Sequence, residues 1–238
     1  MLPPMRSTSV TDYERVLFFT GAGMSAESGV PTYRGKGGIW KQYDYEAYAC
    51  QVAFDADAAN VWEFHNYRRG LVGACAPNRG HELIAQAARQ LPGARVVTQN
   101  IDGLHQLAGN TDVVELHGSL WRVRCDACGA TTEDRDAPKD DLLCECGSWW
   151  RPDIVWFGDS LVQETIAEAI LLIGGCDLLV SVGTSAVVYP AAQMPMIAKR
   201  AGAHLIEINP ESTLMSQLYD ERLRGTATEM LETLCRGL

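Results

Sequence analysis

The chain has 238 residues, 47% hydrophobic and 21% charged, enough for one sizeable core or for one domain carrying a smaller insert. Thirty acidic against 20 basic residues give a net charge of −10, which argues against a protein that coats nucleic acid and for a soluble one. No apolar run approaches the roughly 18 residues of a membrane span, and the N-terminal stretch lacks an apolar core of signal-peptide length, so a cytoplasmic protein without membrane partners is expected.

The first apolar run, residues 15–20, predicts a buried strand that turns at once into Gly21-Ala22-Gly23. With Ala26 this makes G-x-G-x-x-A, in which residues 24–28 can open a helix whose N-terminus approaches a pyrophosphate with no Cβ in the way. Gly29-Val30-Pro31-Thr32-Tyr33-Arg34-Gly35 then forms a short rigid segment with one cation. An ordinary dinucleotide fold would present an acid about 20 residues on from the glycines. Asp44 and Glu46 lie near that distance, but YDYEAYA lacks a buried-strand pattern. The loop is therefore expected to cover a nucleotide and leave the sheet.

Residues 39–78 are aromatic and helical in character, with a helix over 61–71. A helix over 81–90 and strands at 94–98 and 112–116 follow. After a cysteine-bearing stretch at 121–153 come a helix (162–173), a strand (177–182), a helix (191–201) and a strand (204–208). Thr226 is a plausible cap for a closing helix to 234. Continuous apolar strands alternating with helices imply an α/β fold, a parallel sheet covered on both faces. Residues 39–78 and 121–153 break the alternation and are expected to form a second, smaller domain.

Four of the eight cysteines lie in the pattern Cys125-x-x-Cys128, 15 intervening residues, Cys144-x-Cys146. Two close thiolate pairs, followed by Gly129 and Gly147 where a turn needs them, suit one tetrahedral zinc. Four protein ligands leave no open position, so the zinc is expected to be structural. The plainer alternative is four unpaired core cysteines. Clustered thiols of this kind also point to a reducing compartment.

Polar groups gather where strands end. Gln99, Asn100 and Asp102 follow the strand at 94–98, and these short hydrogen-bonding groups suit a ribose or an amide. His117 follows the strand at 112–116 and could act as a general base near neutral pH. A satisfied structural histidine is the bland alternative there, and His105 could equally sit on a helix face. Gly183-Thr184-Ser185 and Asn209-Pro210-Glu211 end the last two strands and suit phosphate and ribose contacts, or ordinary turns. All these clusters belong at the carboxyl ends, where open α/β sheets bind ligands.

Together, GAGMSAESGVPTYRG, TQNIDGLH, ELHG, the paired cysteines, RPDIVWFGD, VGTSAVVYPAA and INPE resemble the sirtuins, NAD-dependent protein lysine deacylases. The resemblance runs from about residue 16 to the C-terminus. It implies a Rossmann-like NAD-binding domain (residues 1–38, 79–120 and 154–238) and a small domain of a helical module (39–78) and a zinc module (121–153). The implied cofactors are NAD, as co-substrate, and one structural Zn2+. It implies that Gly21, Ala22, Gly23, Ala26, Thr32, Tyr33, Arg34 and Trp40 cover NAD. Gln99, Asn100, Ile101 and Asp102 would hold the nicotinamide ribose. Gly183, Thr184, Ser185, Asn209, Pro210 and Glu211 would line the adenosine side, with Ala227 at the adenine. Val155, Phe157 and Gly158 would pair with an acyl-lysine peptide as an added strand. The implied chemistry is attack of the acyl oxygen on the ribose carbon as nicotinamide leaves. His117 serves as base, Asn100 and Asp102 assist, and O-acyl-ADP-ribose is released. A monomer is expected. Mono-ADP-ribosyl transfer uses the same bond cleavage and stays open.

The sirtuins that remove acidic acyl groups carry Tyr-x-x-Arg in the helical module. VWEFHNYRRG puts Arg68 on the Arg position, with Ala49 near the small upstream position, but His65 stands where the Tyr belongs. Tyr67, two residues along, points elsewhere on a helix. Arg68 without the resemblance is a solvated helix charge. With it, Arg68 and His65 are expected to meet a succinyl or malonyl carboxylate. That contact would raise the pKa of His65, so that succinyl preference fades between about pH 6 and 8.5.

Overall fold

Every residue of strand β1 (Val16–Thr20) is buried, because helices cover both faces of the sheet it centres. The structure, a computed structural model, describes residues 8–33, 38–39 and 43–238. Among the described residues six strands form one parallel sheet: β1, β2 (Arg95–Thr98), β3 (Val113–Glu115), β7 (Leu178–Val182), β8 (His204–Ile208) and β9 (Glu221–Leu223), in the order β3-β2-β1-β7-β8-β9. Alternate residues serve opposite faces. Val16, Phe18, Val96, Val180 and Ile206 pack on helices α4 (Arg79–Gln90) and α8 (Ala227–Leu234). Leu17, Phe19, Val97, Leu179 and Leu205 pack on α6 (Gln163–Gly175) and α7 (Met194–Ala201).

The helix ends follow their caps. Thr226 caps α8 as its type suggests, accepting from the Glu229 N–H. The helix expected over 81–90 begins at Arg79 because the Asn78 side chain caps it. The helix expected over 191–201 divides into a 3-10 turn, Ala191–Gln193, and α7, where Pro195 sits in the first turn, the place that needs no N–H. The segment expected to open a helix after the glycines is a 3-10 turn, Ala22–Ser28, stopped by Gly29 at φ +89°.

Three strands between β3 and β7 make a separate antiparallel sheet, ordered β5-β4-β6: β4 (Gly118–Arg124), β5 (Thr131–Glu133) and β6 (Arg151–Ile154). It packs on α3 (Ala58–Gly73), which follows the short helices α1 (Tyr45–Tyr48) and α2 (Gln51–Ala56). Val61, Trp62 and Val72 meet Leu120, Trp121, Val123 and Ile154 in a third core. Truncating the fully buried Trp62 to Ala would cost roughly 3–5 kcal/mol.

Arg69, also fully buried, binds the same sheet through backbone carbonyls. It donates to Leu120 O (3.0 Å), Asp136 O (2.7 Å) and Asp134 O (2.6 Å), and it ion-pairs with the Asp134 carboxylate. Asn66, on the same helix, exchanges two hydrogen bonds with the backbone of Lys139.

Candidate active site

The strand order reverses between β1 and β7, so the crevice of this sheet opens at their carboxyl ends. The two loops that leave there cross in contact. Gly21 N–H donates to Val182 O and Gly23 N–H to Gly183 O, both at 2.9 Å. A Cβ on Gly23 would sit 2.7 Å from the Gly183 Cα, and Gly183 itself has φ +61°. These glycines are therefore required by the backbone crossing as well as by any ligand above it.

A cavity of about 1200 Å3 opens over the crossing and continues into the gap below the small sheet. Gly21, Ala22, Gly23, Ala26, Thr32 and Tyr33 line it from the β1 side. Gln99, Asn100 and Ile101, beyond β2, line its centre with His117. Gly183, Thr184, Ser185, Asn209, Pro210, Glu211 and Ala227 line the far end, where the Asn209 amide donates to Thr184 O at 2.8 Å. Arg34 and Trp40 lie outside the described residues.

Asp102 departs from expectation, since it does not line the cavity. Its carboxylate is buried, accepts from Ser25 Oγ (2.7 Å) and the Leu104 N–H (3.0 Å), and has its pKa raised by that burial. Ser25 Oγ accepts in turn from Asn100 Nδ2 (3.2 Å), which also donates to Gly21 O (3.0 Å). Asp102 thus holds Asn100 through Ser25 rather than facing a ligand. Ser25, unremarked in the sequence pattern, is the joint between them. His105, on the short helix α5 (Leu104–Leu107), is a core residue, its ring buried and hydrogen-bonded to Thr20 Oγ1 at 2.9 Å. Burial pushes its pKa down to about 3.

His117 sits between β3 and β4, where the two sheets meet. Its Nδ1 lies 2.9 Å from Gln99 O, and burial lowers its pKa against that bond. The backbone beside it is occupied: Val155 N–H donates to His117 O (2.9 Å) and Phe157 N–H to Ala49 O (3.0 Å). Val155, Phe157 and Gly158 all line the cavity, so a strand added here would pair through groups other than those two N–H donors.

His65 and Arg68, one turn apart on α3, and Ala49 line the inner wall. Tyr67 turns outward, 48% exposed. Arg68 is no solvated charge: it is 3% exposed, with Nη2 3.3 Å from the Tyr33 hydroxyl and its Cζ 4.8 Å from that ring's centroid. Among the described residues no carboxylate lies within ion-pairing distance of it, and Nε has no hydrogen-bond partner.

His65 stacks on Trp156 (5.7 Å between centroids), and Trp156 carries the Arg151 guanidinium 3.8 Å from its own ring centre. Burial, then the charge of Arg68, pushes the pKa of His65 down to about 3. The Tyr48 backbone opposes this without reaching hydrogen-bond geometry with either ring nitrogen. Without a bound acyl chain the ring is therefore neutral between pH 6 and 8.5, and an acyl carboxylate would have to lift its pKa from that low starting point to bring the expected titration into the range.

Cys125, Cys128, Cys144 and Cys146 stand apart from the cavity, their sulfurs all within 4.8 Å of one another. The pairs Cys125–Cys146 and Cys128–Cys144 lie at 3.5 and 3.6 Å. Bonds of about 2.3 Å at a tetrahedral zinc put sulfurs roughly 3.8 Å apart, so the four fit one closed structural site. Gly129 and Gly147 follow the pairs at φ +76° and +84°.

Residues 21–190, well over half of the chain, match the model of the Sir2 family. The chain belongs to the Sir2 family. This Sir2 chain is 47% identical over 218 residues to NAD-dependent protein deacylase 2 of Pyrobaculum aerophilum, an alignment covering 91% of this chain and 88% of that one. It is 41% identical over 220 residues to the NAD-dependent protein deacylase of Aquifex aeolicus, covering 91% and 92%. A solved Sir2 homologue–NAD complex superposes with a TM-score of 0.88 at 40% identity, covering 95% of this chain and 90% of that one.

Proposed function

We propose that this Sir2 chain is an NAD-dependent protein lysine deacylase that takes acetyl-lysine and, through Arg68, succinyl- or malonyl-lysine. The observation that carries the first part is His117. Its ring is held by the Gln99 carbonyl between the nucleotide loops and the 155–158 segment that would receive a peptide. NAD supplies the electrophilic ribose carbon. Asn100, fixed by Ser25 and Gly21, orients the nicotinamide ribose, and His117 takes a proton from a ribose hydroxyl. The deacylase names of both relatives favour acyl removal over ADP-ribosyl transfer.

The acidic-acyl part rests on Arg68, a buried cation beside the cavity with no carboxylate paired to it among the described residues. A carboxylate entering that end would supply the missing charge, and the fork of Arg suits it.

Mass spectrometry of reactions with NAD and matched acetyl- and succinyl-lysine peptides tests both parts. The expected products are free lysine peptide, nicotinamide and O-acyl-ADP-ribose from both peptides. Intact acyl-lysine with ADP-ribose on the peptide would overturn the deacylase reading. Turnover of the acetyl peptide alone would overturn only the acidic-acyl part.

A further inference from the structure

Glu207 is a carboxylate within β8 and only 3% exposed. The Ser216 hydroxyl, 2.9 and 2.7 Å from its two oxygens, shares its one proton with them, and Thr213 Oγ1 donates to one of them (2.9 Å). Arg224, just past β9, completes the cluster with Nη2 2.7 Å from Glu207 Oε2. The other arm of the same guanidinium reaches backbone: Nη1 donates to Asn209 O and to Glu211 O, each at 3.3 Å. Residues 209–214 line the cavity, whereas neither Arg224 nor Glu207 does. One buried anion therefore anchors a cation that grips the outer side of the loop forming the cavity's far wall.

We propose that Arg224, anchored on Glu207, is a positioning residue that presets loop 209–216 for the adenosine half of the dinucleotide. It sets NAD affinity without touching NAD. The inference rests on the reading that this cavity binds NAD with Asn209 and Glu211 at the adenosine side. A loop ordered before the ligand arrives does not charge its ordering entropy to binding. The planar fork matters because one face of it must hold a carboxylate while the other bridges two carbonyls, which a lysine ammonium does not do. Chemistry at the other end of the cavity is untouched, so affinity and turnover should separate.

The test uses Arg224→Met, Arg224→Lys and the double variant Glu207→Gln/Arg224→Met. The measurements are melting temperature, direct titration with ADP-ribose, and steady-state kinetics against NAD and an acetyl-lysine peptide. Arg224→Met is expected to raise the Kd for ADP-ribose and the KM for NAD together, about tenfold. The kcat at saturating NAD and the KM for peptide should stay at wild-type values. Arg224→Lys keeps the ion pair and the melting temperature yet loses most of the affinity, an outcome a merely structural ion pair would not give. Should Arg224→Met fail to fold, the double variant leaves no unpaired buried carboxylate and is read in the same way. Wild-type ADP-ribose affinity in Arg224→Lys, or a loss of kcat with KM for NAD unchanged, overturns the proposal. ADP-ribose that fails to bind even the wild-type protein overturns the nucleotide reading beneath it.

Discussion

The Nδ1 of His117 lies 2.9 Å from the carbonyl oxygen of Gln99, and this contact selects the tautomer. A carbonyl only accepts, so neutral His117 carries its proton on Nδ1 and leaves the Nε2 lone pair able to accept a proton. The loop that contributes Gln99 to the cavity wall thus also orients the ring proposed above as the base.

His117→Ala should lower kcat/KM for deacylation by about 10²–10⁴-fold while leaving melting temperature and zinc content unchanged. Burial lowers the pKa of this ring, and the base is active when neutral. Activity therefore falls as pH drops through the lowered value, placing the acid limb of kcat/KM below the ordinary histidine value of about 6.5. Near-normal turnover by the variant would remove His117 from the mechanism.

Gly118→Ala is expected to unsettle the junction of the two sheets. Gly118 has φ +74°, and a Cβ there would sit 2.0 Å from the carbonyl oxygen of Asp153. Left-handed strain plus displaced backbone should cost about 3 kcal/mol or more, a fall in Tm of roughly 5–10 °C. A thermal melt indistinguishable from the parent would contradict this geometry.

Cys144→Ser should lose the metal and destabilise the module, since structural zinc contributes folding free energy directly. Metal analysis and a thermal melt on the same sample check it. A zinc-free variant with the parent Tm would mean that the four sulfurs do no structural work.

Arg68→Met should lower the ratio of kcat/KM for succinyl over acetyl peptide by about tenfold or more, from the loss of a charge-assisted contact. Because His65 is neutral, with its pKa near 3, its stabilising effect on the fold falls only as pH drops below about 6.5, where the unfolded chain takes up a proton that the buried ring refuses. The ratio should therefore carry no His65 titration between pH 6 and 8.5, and His65→Tyr should leave its pH profile unchanged. A ratio that falls steeply over that range in the parent but not in His65→Tyr would show that the ring takes up a proton after all.

The parallel strands were legible because burial on both faces writes continuous apolar runs such as Val16–Thr20 and Leu178–Val182. The cysteine pairs were legible because a closed metal site imposes local spacing. β9 was not: Glu-Arg-Leu has no strand pattern of its own and is extended because β8 offers it a ladder. β4 and β5 were also missed, because they are held extended by an antiparallel sheet whose β4–β6 pairing spans some thirty residues of sequence. Among the candidate site residues, the sequence singles out Asn100 and Asp102 but not the hydrogen-bond chain that joins them, which depends on where Ser25 sits in space. The neutrality of His65 likewise comes from its neighbours, burial and Arg68, rather than from its position in a motif.

Arg68 and Arg69 are adjacent on α3 yet serve opposite sides, one bordering the cavity and the other bound to the Leu120 carbonyl and to two carbonyls of the cysteine-bearing insert. Rotating the helix enough to retune the first would tear out the second. The acyl recognition proposed for Arg68 would therefore be hard to change by sliding or twisting α3, and evolution would have to work by exchanging side chains on a fixed axle. The insert, which carries no group facing the reaction, acts in effect as the bearing that stops the axle from turning.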